Sequence, residues 1–355
     1  MRTYEEFLSA YNDYLLKKII FTVLCIGAVI IAFFIGMNIG DYNTTAADVI
    51  EVIKWHLSGN IPTDEDSVML NYIIWDLRVP RTIGTICLGA ILAVCGVAMQ
   101  SAMKNPLADP YTTGIASGAS FGVALLIIWN IALFPTLSYN LRLTVNAFVF
   151  SLLPTAIILF FSQLKKTSPT RMILTGIAVM YLFSATTSLM MLMANPDNLG
   201  EVYRWNLGNL GEINWDNLYF FVFAGLFSTI TISLFASKLN ILSMNDNAVK
   251  SMGIEPNKAR TIILLLVCVS TAMAVCFTGT IGFVGLVVPH MMRMVIGSDC
   301  KYLIPACAAF GGLFLVCCDL IAKAVIVAGL PVGVITSLIG APLFIYILLR
   351  RSRGS

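Results

Sequence analysis

Residues 78–122 read RVPRTIGTICLGAILAVCGVAMQSAMKNPLADPYTTGIASGASFG, two apolar runs separated by a short polar break. The break, at 104–110, contains an Asn-Pro and an Asp-Pro pair. A helix ends there because proline lacks an amide donor and disfavours helical geometry in the residue before it. The second run has glycine at every fourth position, which lets two helices approach closely in lipid. The stretch therefore predicts two membrane helices joined by a tight turn. The candidate packing residues are Gly114, Gly118 and Gly122.

The composition indicates a polytopic membrane protein. The 355 residues are 58% hydrophobic and 12% charged, with a mean hydropathy of +0.86, whereas a soluble domain has about twice that charged fraction. The nine cysteines form no CxxC pair, and the only histidines are His56 and His290. The sequence therefore predicts no metal site and no cofactor in this chain.

Ten segments are apolar enough to cross a bilayer, which takes roughly 20 residues each. The eighth is rich in glycine and interrupted by Pro289, so we predict that it is bent or partial. Residues 1–18 are polar and no cleavage site follows the first apolar run, which predicts an uncleaved first span. The fold class is all-α, a single transmembrane domain over 1–355. The ten segments lie at about 19–38, 82–103, 113–133, 144–163, 171–193, 217–237, 260–278, 281–297, 302–325 and 333–349.

The basic residues predict the orientation of the chain. If the N-terminus lies inside, sixteen of the 22 lysines and arginines fall in inside segments, as the positive-inside rule requires. The outside segments 39–77 and 197–216 are acidic. Ten spans then leave both termini in the cytoplasm.

Residues 39–77 form a predicted extracytoplasmic loop that is too polar to span. Its stretch TTAADVIEVIKWH, at 44–56, has a threonine N-cap and apolar residues at helical spacing, which predicts a surface helix. This helix is either a docking surface for another protein or a lid on the bundle.

Residues 238–259 form the most informative inside loop. Ser243 and Asp246 have the spacing of a capping box, Gly253 suits a helix C-cap, and Pro256 opens the next helix. The loop therefore predicts a short amphipathic helix that cannot span. This helix either rests on the bilayer surface or fits a groove in a cytoplasmic partner.

Two similar tripeptides suggest an internal repeat. Arg81-Thr82-Ile83 opens the second span and Arg260-Thr261-Ile262 opens the seventh. The two spans start on opposite sides of the membrane, so spans two to five and seven to ten would form an inverted repeat, a plan common in transporters.

Several ordered motifs together resemble the permease subunits of ABC importers for iron-siderophore, haem and cobalamin. They extend over nearly the whole chain, which makes the resemblance far more specific than a glycine pattern alone. The motifs are LRVPR at 77–81, GAILAVCGVAMQ at 89–100, NPLADP at 105–110, GIASGA at 114–119, GTIGFVGLVVPH at 279–290, LPVGVIT at 330–336 and GAP at 340–342.

The resemblance implies a permease domain that acts as a homodimer in the cytoplasmic (inner) membrane of a prokaryote. It implies two cytoplasmic ABC ATPase subunits and one extracytoplasmic substrate-binding protein as partners, with no role for nucleic acid. The chain has no Walker A motif of its own. ATP and Mg²⁺ are therefore expected in the partner ATPase, and this subunit is not an enzyme.

The resemblance also implies a docking site for the binding protein at Arg78, Arg81 and Lys323. Arginines at an acidic outer face can grip partner carboxylates, or they can simply snorkel to the interface. Lys323 stands where the family usually has arginine, and it could instead pair with Asp319 one turn away.

The resemblance places Asn105 and Leu107 near a cytoplasmic gate. It places the coupling helices that meet the ATPase in the 238–259 loop, where Asn245 replaces the glycine expected in the family and Asp246 keeps the acid. The coupling residues implied are Leu239, Asn240, Ser243, Asp246, Met252 and Gly253.

The resulting hypothesis is an ATP-driven importer permease that works by alternating access, most simply for an iron-siderophore. Haem and cobalamin remain alternative substrates. An ion-coupled secondary transporter is a rival, but Asp319 is the only clear intramembrane acid, and such proteins usually carry several. Polar residues in the eighth span, His290 and Arg293, are further functional candidates.

Overall fold

The computed structural model describes residues 4–40, 42–59, 62–164, 168–325 and 330–352, and these residues form helices and loops without a strand. The all-α prediction is confirmed. The helices are α1 (Tyr4–Asn38), α2 (Ala46–Ser58), α3 (Glu65–Asn71), α4 (Val79–Met103), α5 (Ile115–Trp129), α6 (Tyr139–Leu164), α7 (Pro169–Leu192), α8 (Pro196–Asn206), α9 (Trp215–Leu234), α10 (Ala236–Leu242), α11 (Asp246–Ser251), α12 (Pro256–Thr278), α13 (Val284–Ile296), α14 (Cys300–Val325) and α15 (Val332–Ser352).

Each of the ten predicted segments contains one apolar helix, but the helices differ in length. Among the described residues, seven are long and apolar enough to cross a membrane, and three are shorter: Ile115–Trp129, Val284–Ile296 and Val332–Ile347. The eighth segment is a 13-residue helix with Pro289 inside it. The third segment is also short, because α5 has 15 residues and spans roughly 22 Å at 1.5 Å per residue.

Helix α4 is the centre of the bundle. It packs against α9, α12, α13 and α14, and every residue of it from 91 to 103 is buried. Glycines permit this crowding, because a Cβ at Gly96 would overlap the carbonyl oxygen of Gly285, and one at Gly89 would overlap that of Gly311. The α4 backbone therefore lies directly against α13 and α14.

The glycine face of α5 lies against α6. A Cβ at Gly118 would lie 2.5 Å from the carbonyl oxygen of Phe150, and one at Gly122 would lie 2.6 Å from that of Asn146. Gly114 precedes α5 with φ of +86°, a conformation that favours glycine. The repeat of small residues thus corresponds to a close contact between two helices.

Helices α2 and α3 lie over the predicted outer end of the bundle. Thr45 and Asp48 form a capping box at the start of α2, and α3 continues through a π-helical turn, Tyr72–Arg78, into α4. Val49 and Val52 of α2 are buried in a cluster with Ile74. The surface helix therefore covers the bundle, as expected for a lid.

Candidate functional site

Helices α10 and α11 lie at the predicted cytoplasmic end, next to the last turn of α4 and the first turn of α12. Leu239 and Val249 point into the protein and are fully buried, whereas Met244 and Met252 are about half exposed. The two short helices are thus fixed to the bundle on one side. The flexible, apolar methionines at the ends of α11 lie on the exposed side, a surface suited to an adaptable contact.

Asp246 connects three elements at this end. Its carboxylate accepts hydrogen bonds from both terminal nitrogens of Arg260, at 2.6 and 3.0 Å, and from Lys104 Nζ at 2.5 Å. Arg260 is fully buried, and its Nε donates to the carbonyl oxygen of Ala102 at 3.1 Å. One carboxylate therefore joins α11 to the start of α12 and to the end of α4.

The capping box predicted from Ser243 and Asp246 is wrong. Asn245 is the N-cap of α11 without a side-chain hydrogen bond, and the Ser243 hydroxyl donates to the carbonyl oxygen of Asn240 at 2.6 Å. The physical reason is competition, since hydrogen bonds to charged groups are stronger than those to backbone amides. The Asp246 carboxylate therefore binds Arg260 and Lys104 instead of capping the helix.

The same pairing changes the acidity of Asp246. Hydrogen bonds from Arg260 hold the pKa of the Asp246 carboxyl well below its usual range, with Lys104 adding to the effect and partial burial opposing it. Asp246 is therefore ionised throughout the physiological pH range.

Asn240 fixes α10 to the start of α14. Its amide nitrogen donates to Asp299 Oδ1 at 2.7 Å, and its amide oxygen accepts from the backbone nitrogen of Cys300 at 2.8 Å. The predicted coupling residues therefore include two, Asn240 and Asp246, that lock the short helices to the bundle. Gly253 follows α11 with φ of +77°, which fits its predicted place at the helix end.

The predicted gate residues lie in the loop that follows α4, residues 104–109, which we call the gate loop after that prediction. Lys104 adopts a left-handed conformation with φ of 52°, and the amide of Asn105 donates to the carbonyl oxygen of Gln100 at 3.2 Å. The Asn105 side chain accepts from the amide of Leu107 at 2.9 Å, while Leu107 itself is 47% exposed. The loop is thus a compact turn with one apolar side chain projecting from it.

A cavity of about 890 Å³ brings one predicted gate residue together with three of the predicted coupling residues. Asn105, Leu239, Asn240 and Ser243 all line it. The lining also includes Gln100, Lys104, His290 and Arg293. The break after α4, helix α10 and the eighth segment therefore share one space at this end, whereas Leu107, Asp246, Met252 and Gly253 do not line it.

Gln100 is a residue that sequence reasoning missed. Its side-chain nitrogen lies 3.2 Å from the carbonyl oxygen of Gly285 and 3.3 Å from that of Leu286, and its oxygen accepts a hydrogen bond from Arg293. It thereby holds α4 to α13 one turn before the gate loop. The available signal was an amide side chain in an otherwise apolar helix.

A second cavity, of about 630 Å³, lies beside the segments that precede α5 and α13. Residues before and within α5, α13 and α15 line it, among them Asp109, Phe283 and Gly333. Irregular backbone at membrane depth is tolerated where it lines a cavity or is buried in protein. The break after α4 lines the first cavity and the segment before α13 lines the second, so both segments satisfy this condition.

Arg78 is buried at the opposite end of the bundle, with 6% of its surface exposed. Its guanidinium donates to the carbonyl oxygens of Met37 and Tyr42 and to the Thr44 hydroxyl, each at 2.6 Å. Arg78 therefore fastens the end of α1 and the following loop to α4. This placement gives Arg78 a structural role and does not present it to a partner.

Arg81 and Lys323 both contact Asp319. Arg81 Nη2 lies 2.6 Å from one carboxylate oxygen and Lys323 Nζ lies 2.8 Å from the other. The Asp319 side chain is 3% exposed, that of Lys323 10% and that of Arg81 24%. Arg81 is therefore the most accessible of the three predicted docking cations, and the alternative pairing of Lys323 with Asp319 matches the geometry.

Comparisons with known proteins agree with this architecture. Residues 28–350 match the model of the FecCD transport family. The chain is 36% identical to the hemin transport system permease protein of Yersinia pestis over 280 residues, 78% of this chain and 84% of that protein. It is 31% identical to the iron(3+)-hydroxamate import system permease protein of Bacillus subtilis over 335 residues, 94% of this chain and 82% of that protein.

A solved structure is similar over most of the chain. It is an inward-facing conformation of an ABC transporter assigned to the metal-chelate type, with a TM-score of 0.80 and 27% sequence identity, and the match covers 93% of this chain and 98% of that one.

Proposed function

The chain belongs to the FecCD transport family and is a membrane-spanning permease subunit of an ABC importer of the metal-chelate type, and we propose that it imports an iron-siderophore by alternating access as a homodimer. ATP binding and hydrolysis in a separate cytoplasmic ATPase would move α10 and α11, and this movement would open or close a path between two copies of the chain. Both termini lie in the cytoplasm in this proposal.

The observation that carries the proposal is the position of α10 and α11. They are anchored through Asn240 and Asp246, and Met244 and Met252 beside them are exposed. Helix α10 also shares a cavity with Asn105. An ATPase that binds the exposed side would therefore act on elements already joined to the gate loop.

The family resemblance supports a second copy of the chain as a partner and assigns the fifth and tenth segments, α7 and α15, to the path between the copies. Leu182, Leu189 and Leu192 on α7 are each more than half exposed, and α15 exposes Leu338 and Ile345 in the same way. We expect α7 and α15 of each protomer to face the path between the two copies, with other exposed helices facing lipid.

The outer end is proposed to dock an extracytoplasmic substrate-binding protein. Arg81 is the principal docking cation in this proposal, since it is the most exposed of the three and arginine can bind a carboxylate with two parallel hydrogen bonds. Lys323 and Arg78 would act mainly by shaping the surface around it.

The substrate class rests on the relatives. A hemin permease and an iron(3+)-hydroxamate permease are both similar to this chain, so haem remains an alternative, as does cobalamin. An ion-coupled carrier is disfavoured because the carboxylate of Asp319 is already held by two cations.

Uptake by proteoliposomes tests the function. The chain, purified with its ATPase from native membranes, is reconstituted and assayed with the binding protein and labelled ferric hydroxamate, hemin or cobalamin. We expect uptake of the hydroxamate that requires ATP on the ATPase side and survives ionophores. Uptake that follows a proton or sodium gradient without ATP would refute the importer proposal, and uptake of hemin or cobalamin alone would refute only the substrate.

A further inference from the structure

The contacts of Asp246 form a continuous connection between the short helices and the gate loop. Asp246 is the first residue of α11, and Lys104, whose Nζ lies 2.5 Å from its carboxylate, directly precedes Asn105. The sequence separates the two charged residues by 142 positions, so only the fold brings them together. The gate loop thus has an ionic contact with α11 at its first residue.

The two cations on Asp246 are held differently. Arg260 is fully buried, and its guanidinium also donates to the backbone of α4 at Ala102, so its position is fixed by its surroundings. The Lys104 side chain is 26% exposed and that of Asp246 is 40% exposed. A buried, multiply bonded arginine is a rigid support, whereas a partly exposed lysine on a flexible stem can change its contact at little cost.

The backbone hydrogen bonds donated by the gate loop are made within the loop and the end of α4, and Lys104, Pro106 and Leu107 are exposed. After Lys104, the amides of Asn105, Leu107 and Ala108 are bonded within the segment 100–108, and Leu107 projects from it. A loop held in this way can adopt a second arrangement more easily than the helices on either side.

We propose that Asp246 is a positioning residue that transmits movement of α11 to the gate loop through Lys104, with Arg260 as the fixed support. The inference rests on the proposed function, because it takes the ATPase to be what moves α11. Asp246 acts inside this chain, as an internal connection and not as a contact with the ATPase. Neutralising Lys104 is expected to separate ATP-driven movement of α11 from the response of the gate loop.

Hydrogen–deuterium exchange with mass spectrometry tests this connection. The complex with its ATPase is placed in lipid nanodiscs and compared without nucleotide and after trapping with ATP, Mg²⁺ and vanadate. The variants are Lys104→Met, Asp246→Asn and the double variant. The matched control is Lys54→Met, which removes an exposed lysine charge from α2, at the opposite end of the bundle.

In the parent, nucleotide is expected to change exchange in both 236–251 and 104–109. In Lys104→Met the change at 104–109 falls by about threefold or more, while the change at 236–251 and the rate of ATP hydrolysis stay within about twofold of the parent. The double variant behaves as Asp246→Asn does, since both substitutions interrupt one connection. Lys54→Met responds as the parent does.

The remaining outcomes would contradict either the connection through Lys104 or the proposed function. An undiminished response at 104–109 in Lys104→Met refutes the connection. Loss of ATPase binding in Asp246→Asn, with a normal response in Lys104→Met, shows that Asp246 contacts the ATPase and also refutes it. If Asp246→Asn fails to assemble, Lys104→Met alone decides, because it leaves the pairing of Asp246 with Arg260 in place. A parent complex without any nucleotide response at 236–251 would instead count against the proposed function.

Discussion

At the scale of single residues, Asp319 organises the outer end of the bundle. Its almost fully buried carboxylate neutralises both Arg81 and Lys323. Removing the charge of Asp319 therefore leaves two cations close to each other. Breaking a buried ion pair from one side typically costs about 3–5 kcal/mol, because the remaining charge is uncompensated.

We therefore expect Asp319→Asn to lower the melting temperature of the purified protein markedly. Adding Lys323→Met should recover part of this loss, since only one cation then remains. Glu212→Gln, which neutralises an exposed carboxylate at the same end, should have little effect. Thermal unfolding followed by tryptophan fluorescence measures all three, and a double variant no more stable than Asp319→Asn would contradict the shared carboxylate.

The pH dependence of stability tests the contacts of Asp246. Its pKa in the folded protein is below the value of about 3.9 expected for an unfolded chain. The carboxylate therefore contributes stability that is fully present above that value and is lost as the pH falls toward the folded pKa. The difference in melting temperature between the parent and Asp246→Asn should be constant from about pH 8 to pH 5 and shrink below about pH 4. A difference that shrinks near neutral pH would show that another group is responsible.

The sequence identified single residues better than it identified their partners. Asp246, Asn240 and Arg81 stood out from their motifs, but Arg81 pairs with a residue 238 positions away, and periodicity carries no information about such contacts. The capping box at Ser243 failed for the same reason, because Arg260 and Lys104 compete successfully for the carboxylate. The buried state of Arg78 was equally invisible, since it depends on the path of the loop after α1.

At the scale of helices, the close contact of α5 with α6 depends on glycine. A methyl group at Gly118 would meet the backbone oxygen of Phe150, which cannot move aside without shifting α6. In contrast, a Cβ at Gly27 in α1 would have no atom within 4 Å apart from its chain neighbours and the backbone of its own helix.

Gly118→Ala is expected to destabilise the protein by about 1–3 kcal/mol through overpacking. Gly27→Ala, the matched control, should be neutral or slightly stabilising, because alanine is the better helix former. Thermal unfolding of both variants in the same detergent measures the difference. Equal melting temperatures would contradict the tight contact between α5 and α6.

Hydropathy located each of the seven long and three shorter apolar helices among the described residues, but not every boundary. Long apolar runs such as 82–103 are unambiguous, because a run of about 20 apolar residues has the length that a helix needs to cross a bilayer. Helix α5 ends earlier than predicted, since Asn130 adopts a left-handed conformation with φ of 52°. Helix α1 begins earlier, at Tyr4, because the polar residues before the apolar run continue the helix.

At the scale of the whole molecule, the two ends of the bundle carry different structural elements. The predicted outer end has a covering helix and paired cations around Asp319, whereas the opposite end has two short helices joined to a gate loop. The sequence alone predicted this division through its charge distribution and its motifs. It could not predict the cavity between the gate loop and α10, since the lining of this cavity comes from five separate elements and the loops beside them.

Native mass spectrometry of the complex extracted from the host membrane in mild detergent would decide whether this chain works as proposed. We predict an assembly with two copies of this 38.7 kDa chain and two copies of one ATPase that carries Walker motifs, and we predict loss of the ATPase when the sequence of 239–253 is scrambled. An assembly of this chain alone, with no ATPase in either sample, would contradict the proposal that ATP hydrolysis in a partner drives transport through this permease.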